Sequence, residues 1–144
     1  MLNETVQGIA RRLNAAFGDD YEIYQNKVEQ GLQEPCFFIA VLQPEAKPLL
    51  GNRERWLNAF DVHYFPRQAG SNAELLAVAE QLLAELRFIE LPGGGLLRGT
   101  SMRWEPVDGV LHFFVNYNAL LNRQEEKPLM ETLSVEQGLN NYKG

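Results

Sequence analysis

Residues 104–113 read WEPVDGVLHF. Asp108-Gly109 lies between Val107 and Val110. Asp-Gly is a preferred two-residue hairpin turn, because both central positions need positive φ. The turn fixes a register. Val107 should face Val110, then Glu105 His112, Trp104 Phe113, Met102 Val115, and Thr100 Tyr117. The Trp104/Phe113, Met102/Val115 and Thr100/Tyr117 pairs share one face, the expected core face. The other face carries Glu105 with His112, Arg103 with Phe114, and Ser101 with Asn116. Pro106 falls opposite Leu111 in a non-hydrogen-bonded pair. Its missing N–H costs the hairpin nothing, but it blocks pairing on the outer side.

Working outward, AFDVHYF (59–65) alternates as a strand should. Phe60, Val62 and Tyr64 fall on one side, Asp61, His63 and Phe65 on the other. CFFIAVL (36–42) is a short apolar run ended by Pro44, which predicts a strand buried on both faces and central in its sheet. YEIYQN (21–26) predicts a half-buried strand. Val6, Ile9, Ala10, Leu13 and Phe17 recur at helical spacing, predicting a helix over 3–17 with Asn3 as N-cap and Gly18 as its stop. A second helix is predicted over 72–87, opened by the capping box Ser71-x-x-Glu74. Leu75, Val78, Ala79, Leu82, Leu83 and Leu86 form its stripe. KPLLGNRERWLN (47–58) has a turn signal at Gly51-Asn52 between two extended arms, but Trp56 and Leu57 show no clear core phase.

These elements predict an α+β fold. An antiparallel-rich, mixed sheet of about five strands carries two helices on one face, in the order α-β-β-β-α-β-β. Residues 1–122 are expected to form a single domain. Residues 123–144 form a C-terminal tail that is either flexible or held by another subunit.

Composition narrows the function classes. The chain has 144 residues, 45% of them apolar, enough for one domain with its own core. Its single cysteine, Cys36, permits no intrachain disulfide, which fits a reducing compartment. Cys36 sits inside an apolar run and reads as a small buried hydrophobe. No apolar run is long enough to span a bilayer, and the N-terminal residues do not read as a signal peptide. A net charge of −6 argues against sequence-reading of nucleic acid, although an acidic wall lets a polyanion slide past.

Candidate chemistry is sparse. Gly93, Gly94 and Gly95 do not make a phosphate loop, since neither the spacing nor a following Gly-Lys-Ser/Thr is present. They read as a flexible loop. No nucleophile elbow is present. Both histidines, His63 and His112, fall on strands beside an acid. If those strands were neighbours, Asp61, His63, Glu105 and His112 could converge as a mixed histidine–carboxylate metal site. The competing account is cross-strand polar pairing on an exposed or interface face, worth only ~0.2–1 kcal/mol per pair. That account is preferred, so no catalytic residue, cofactor or metal is assigned. Apolar side chains without a core address remain in LLGNRERWL and at 129–139. Arg53, Arg55, Trp56, Leu129 and Leu133 have the composition of a subunit interface.

Four blocks carry a resemblance: VEQGLQEPCFFI (28–39), LLGNR (49–53), FDVHYFP (60–66) and RGTSMRWEPVDGVLHFFVNYN (98–118). Over roughly residues 5–120 the chain resembles the small phage tail terminator family of prophages and siphophages of Gram-positive bacteria. The resemblance implies a non-enzymatic virion assembly protein. It would cap the head-proximal end of the tail tube as a hexameric ring and enable head–tail joining. Its implied partners are further copies of itself, the tail tube protein and a head-completion or neck protein. DNA would pass through the lumen without sequence-specific binding, and no membrane is involved. Assembly would occur in the host cytoplasm and the product would reside in the virion tail. A neck or head–tail connector protein is the nearest alternative, and a metal-dependent hydrolase or nuclease the alternative from another class.

Overall fold

A strand with apolar residues at every second position can bury one face and leave the other to different chemistry. The chain is built on that device. The computed structural model describes residues 1–25 and 31–122. Among them, α1 (Leu2–Phe17) is followed by β1 (Glu22–Tyr24), β2 (Cys36–Val41), β3 (Glu45–Pro48), β4 (Arg53–Leu57) and β5 (Ala59–Phe65). Then come α2 (Asn72–Glu85), β6 (Phe88–Glu90), β7 (Leu96–Arg98), β8 (Thr100–Val107), β9 (Val110–Asn116) and β10 (Ala119–Asn122).

The main sheet has five strands in the order β1-β2-β5-β9-β8. All neighbours are antiparallel except β1 and β2, which are parallel. The fold is therefore α+β with a mixed sheet. Phe37, Ile39, Phe60, Val62, Tyr64, Leu111, Phe113 and Val115 line one face and are buried against Ile9 and Leu13 of α1 and Leu75, Ala79 and Leu82 of α2. Each such side chain contributes roughly 1.5–3 kcal/mol on burial. β5 is the middle strand. β2 lies one place from the edge, and its end is open, with Val41 43% exposed. It is thus interior but not covered on both faces.

Caps and turns follow the sequence with local corrections. Ser71 accepts a hydrogen bond from the Glu74 amide, as a capping box requires. Glu74 does not reach back to Ser71. Its carboxylate accepts from Tyr64 Oη at 2.5 Å and from the amides of Arg67 and Gln68. In α1 the N-cap is Met1, not Asn3, and no side chain caps it. The glycine run closes the β6–β7 hairpin, with φ of 97° at Gly94 and 98° at Gly95. These angles are what side chains avoid, so the glycines serve a specific turn and not mere looseness.

The decisive hairpin holds its register from Val107/Val110 to Arg103/Phe114. Beyond that, Thr100 pairs with Asn116, so two residues of β8 oppose one of β9. This is a β-bulge, with Ser101 at a φ of 54°. The expected Met102/Val115, Ser101/Asn116 and Thr100/Tyr117 pairs do not form. The cause lies at the strand's start. The Gly99 amide donates to the Arg87 carbonyl at 2.8 Å. Tyr117 is buried and donates its hydroxyl to the Leu86 carbonyl at 2.6 Å. Both ends of the hairpin are thus tied to the turn after α2. Thr100 is exposed, and Trp104 sits at the sheet margin, stacked on Phe113 at 5.8 Å.

Candidate subunit-contact arm and the Asp–His cluster

The face of the main sheet turned away from the helices carries Asp61, His63 and His112. His63 and His112 are directly opposite in the β5–β9 register, and Asp61 precedes His63 by two residues. Same-face alternation thus brings all three together. Asp61 Oδ2 lies 2.9 Å from His63 Nε2 and 2.9 Å from His112 Nδ1. Asp61 is only 6% exposed, although the pattern suggested an open polar face. It lies between Ala40 of β2 and Phe114 of β9 in the sheet register, with both imidazoles at its Oδ2. Burial pushes the Asp61 carboxyl up, but hydrogen bonds from both imidazoles and their charge outweigh this and hold it below the ordinary value. Asp61 Oδ1 is buried with no partner among the described residues. Glu105 stands opposite His112 in the β8–β9 register but does not join the cluster. It is exposed on the edge strand. Arg103 lies over the Phe114 ring at 4.4 Å.

A second surface lies outside the main sheet. β3 and β4 form a hairpin about Gly51-Asn52, and β10 pairs on the far side of β4, giving the order β10-β4-β3. Arg55 pairs with Lys47 on one side and Leu120 on the other. Directly paired residues share a face, and Arg53 follows at the same phase. One face of this small sheet therefore carries Lys47, Arg53, Arg55 and Leu120, all exposed, together with exposed Glu45, which pairs with Leu57 at the same phase. The other carries Trp56, half-buried, whose Nε1 donates to Glu54 Oε1 at 3.2 Å. Three cations against one anion on a single face stand out on a chain of charge −6. The sequence signalled Arg53, Arg55 and Trp56, but Lys47 and Leu120 enter only through strand pairing. Leu129 and Leu133 lie outside the described residues.

A shallow groove between α1 and the β6–β7 hairpin is lined by Gly8, Arg11, Arg12, Phe88 and Leu96. Gly8 lets the helix approach, since a Cβ there would lie 2.7 Å from the Glu90 carbonyl oxygen. Arg12 is committed to Glu85, pairing with its carboxylate at 2.9 Å and donating to its carbonyl. Phe88 and Leu96 are exposed because the hairpin turns Ile89 and Leu97 inward. Period-two alternation in FIEL and LLR was the signal for them.

Cys36 is buried, and its thiol is pushed up to about 11, first by burial and then by Glu34 and Glu22. It is a poor nucleophile in the folded chain. No curated protein matches the sequence. The family model described as phage tail terminator protein matches residues 4–128, a span that takes in α2, every strand described above and all of α1 but its first two residues. The chain therefore belongs to the phage tail terminator family and is a structural protein of the phage tail.

Proposed function

We propose that copies of the chain close into a ring on the head-proximal end of the tail tube, stop its growth and offer the head a docking surface. The family match carries this reading. The three-stranded sheet supports it by supplying a means of contact. A ring needs a heterologous contact whose rotation closes. Such a contact wants side chains that the subunit's own core does not use. Arg53 and Arg55 fit that need with Lys47 and Leu120 beside them on one face, and Trp56 does so from the opposite face, since Trp and Arg dominate interface energetics. The acidic remainder of the neighbouring copy is a complementary surface for its three cations. In this reading the protein works without chemistry, through fit to its own copies, the tube protein and a neck protein, with DNA passing through an acidic lumen. It acts in the host cytoplasm during assembly and stays in the virion tail.

The test is electron microscopy of particles made in cells lacking the protein. Overlong tubes without heads are expected. Tubes of normal length that fail only to join heads would support a neck or connector protein instead. Normal virions would overturn both.

A further inference from the structure

We propose that Asp61, His63 and His112 bind one divalent transition-metal ion on the uncovered face of the main sheet. This goes beyond the tail reading and stands or falls without it.

The donor set comes first. Each residue offers one ligand atom, and the three atoms lie within 4.8 Å of one another. Two imidazole nitrogens and a carboxylate oxygen suit borderline ions such as Zn²⁺, Co²⁺ or Ni²⁺. Mg²⁺ and Ca²⁺ prefer all-oxygen shells, and sulfur-seeking ions find no thiolate in the cluster. Both nitrogen–oxygen distances are 2.9 Å. Donors on a tetrahedral ion with bonds of ~2.0–2.2 Å sit roughly 3.3–3.6 Å apart. Small side-chain rotations close that difference.

The second observation is independent of the donor count. Asp61 is nine-tenths buried, and its Oδ1 accepts nothing among the described residues. A buried carboxylate oxygen without a partner is costly. Hydrogen bonds from His63 and His112 use Oδ2 alone. A cation held between the three side chains compensates the carboxylate as a whole, whereas the two imidazole hydrogen bonds reach only Oδ2. Access exists, because each imidazole is still 25% exposed. Remaining coordination positions would fall to water or to a donor on a partner. With ligands on β5 and β9, the ion would tie the two strands together on the side that the helices do not cover.

The test uses the full-length, untagged chain, stripped with a chelator and titrated with Zn²⁺ by calorimetry, with thermal melts alongside. One ion per chain and a rise in Tm of about 5 °C or more at saturating metal are expected. Co²⁺ should give the visible absorption of a bound ion. His63→Ala and His112→Ala should each weaken binding at least about 10–100-fold, the loss already seen on removing outer-sphere partners. His63→Gln, which preserves polarity, serves if the alanine variants do not fold. No saturable binding to the wild type, or equal affinity in the folded histidine variants, would overturn the proposal.

Discussion

The five-stranded and three-stranded sheets use the same backbone pattern for opposite ends. In the larger sheet, Phe37, Phe60, Val62, Tyr64, Phe113 and Val115 are fully buried beneath two helices. In the smaller, all four residues of β3 are exposed, and on β4 Arg53 and Arg55 are exposed while Trp56 is half-buried. Neither helix among the described residues packs closely on it. The larger sheet therefore carries the stability of the fold. The smaller one has side chains that the subunit does not need, and that spare capacity is what an assembly protein can spend on neighbours.

Mutations should separate the two regions. The largest effect is expected for Phe113→Ala, which empties a fully buried site under α2 and removes the stacking partner of Trp104. A loss of ~3–5 kcal/mol in urea unfolding would match; a loss below ~1 kcal/mol would mean that the helix-covered face is not the core. Tyr117→Phe comes next. It removes the hydroxyl that donates to the Leu86 carbonyl, and about 1–3 kcal/mol is expected from an unsatisfied buried acceptor.

A pH series gives a smaller and conditional effect. Burial raises the Glu74 carboxyl, but the Tyr64 hydroxyl and the Arg67 and Gln68 amides together hold it below its ordinary value. A folded value below the unfolded one means that Glu74 stabilises the fold above about pH 4.3. That contribution fades as pH falls through the folded value. Melting curves of Glu74→Gln should therefore converge on wild type in acid; a gap that is constant with pH would contradict the assignment. The smallest stability change is expected for the triple change Arg53→Ala, Arg55→Ala, Trp56→Ala, at about 1 kcal/mol or less in the isolated chain. The same variant should fail to form rings or cap tubes in a mass measurement. Intact assembly would remove the arm from the contact.

Much of this division was legible in the sequence. Strict alternation at 59–65 and the Asp-Gly turn placed β5, β8 and β9 and most of their register, because period-two burial and a positive-φ turn are local signals. The bulge at Ser101 was not legible. It is imposed by Gly99 and Tyr117 docking on the turn after α2, contacts made with residues more than ten positions away. The turn at Gly51-Asn52 was readable, but the phase of Trp56 was not, because among the described residues the strand packs on no core that would set it. β10 was missed for the same reason. For the Asp–His cluster, the residue types and their alternation were visible, while the burial of Asp61 comes from its position between β2 and β9, opposite Ala40 and Phe114, which only the strand pairing sets. Glu105 was wrongly grouped with it, since facing His112 across a register does not bring its carboxylate to the cluster.

Pro106 has a wider consequence. β8 is the last strand of its sheet, and an open margin of this kind is a template onto which a foreign strand can zip. The proline withholds one donor from that margin, and the kink at Ser101 bends it out of line. If copies gather at high local concentration on a tube end, as proposed, this margin keeps them from fusing edge to edge into fibrils, so a part whose proposed task is to halt one polymer would not seed another.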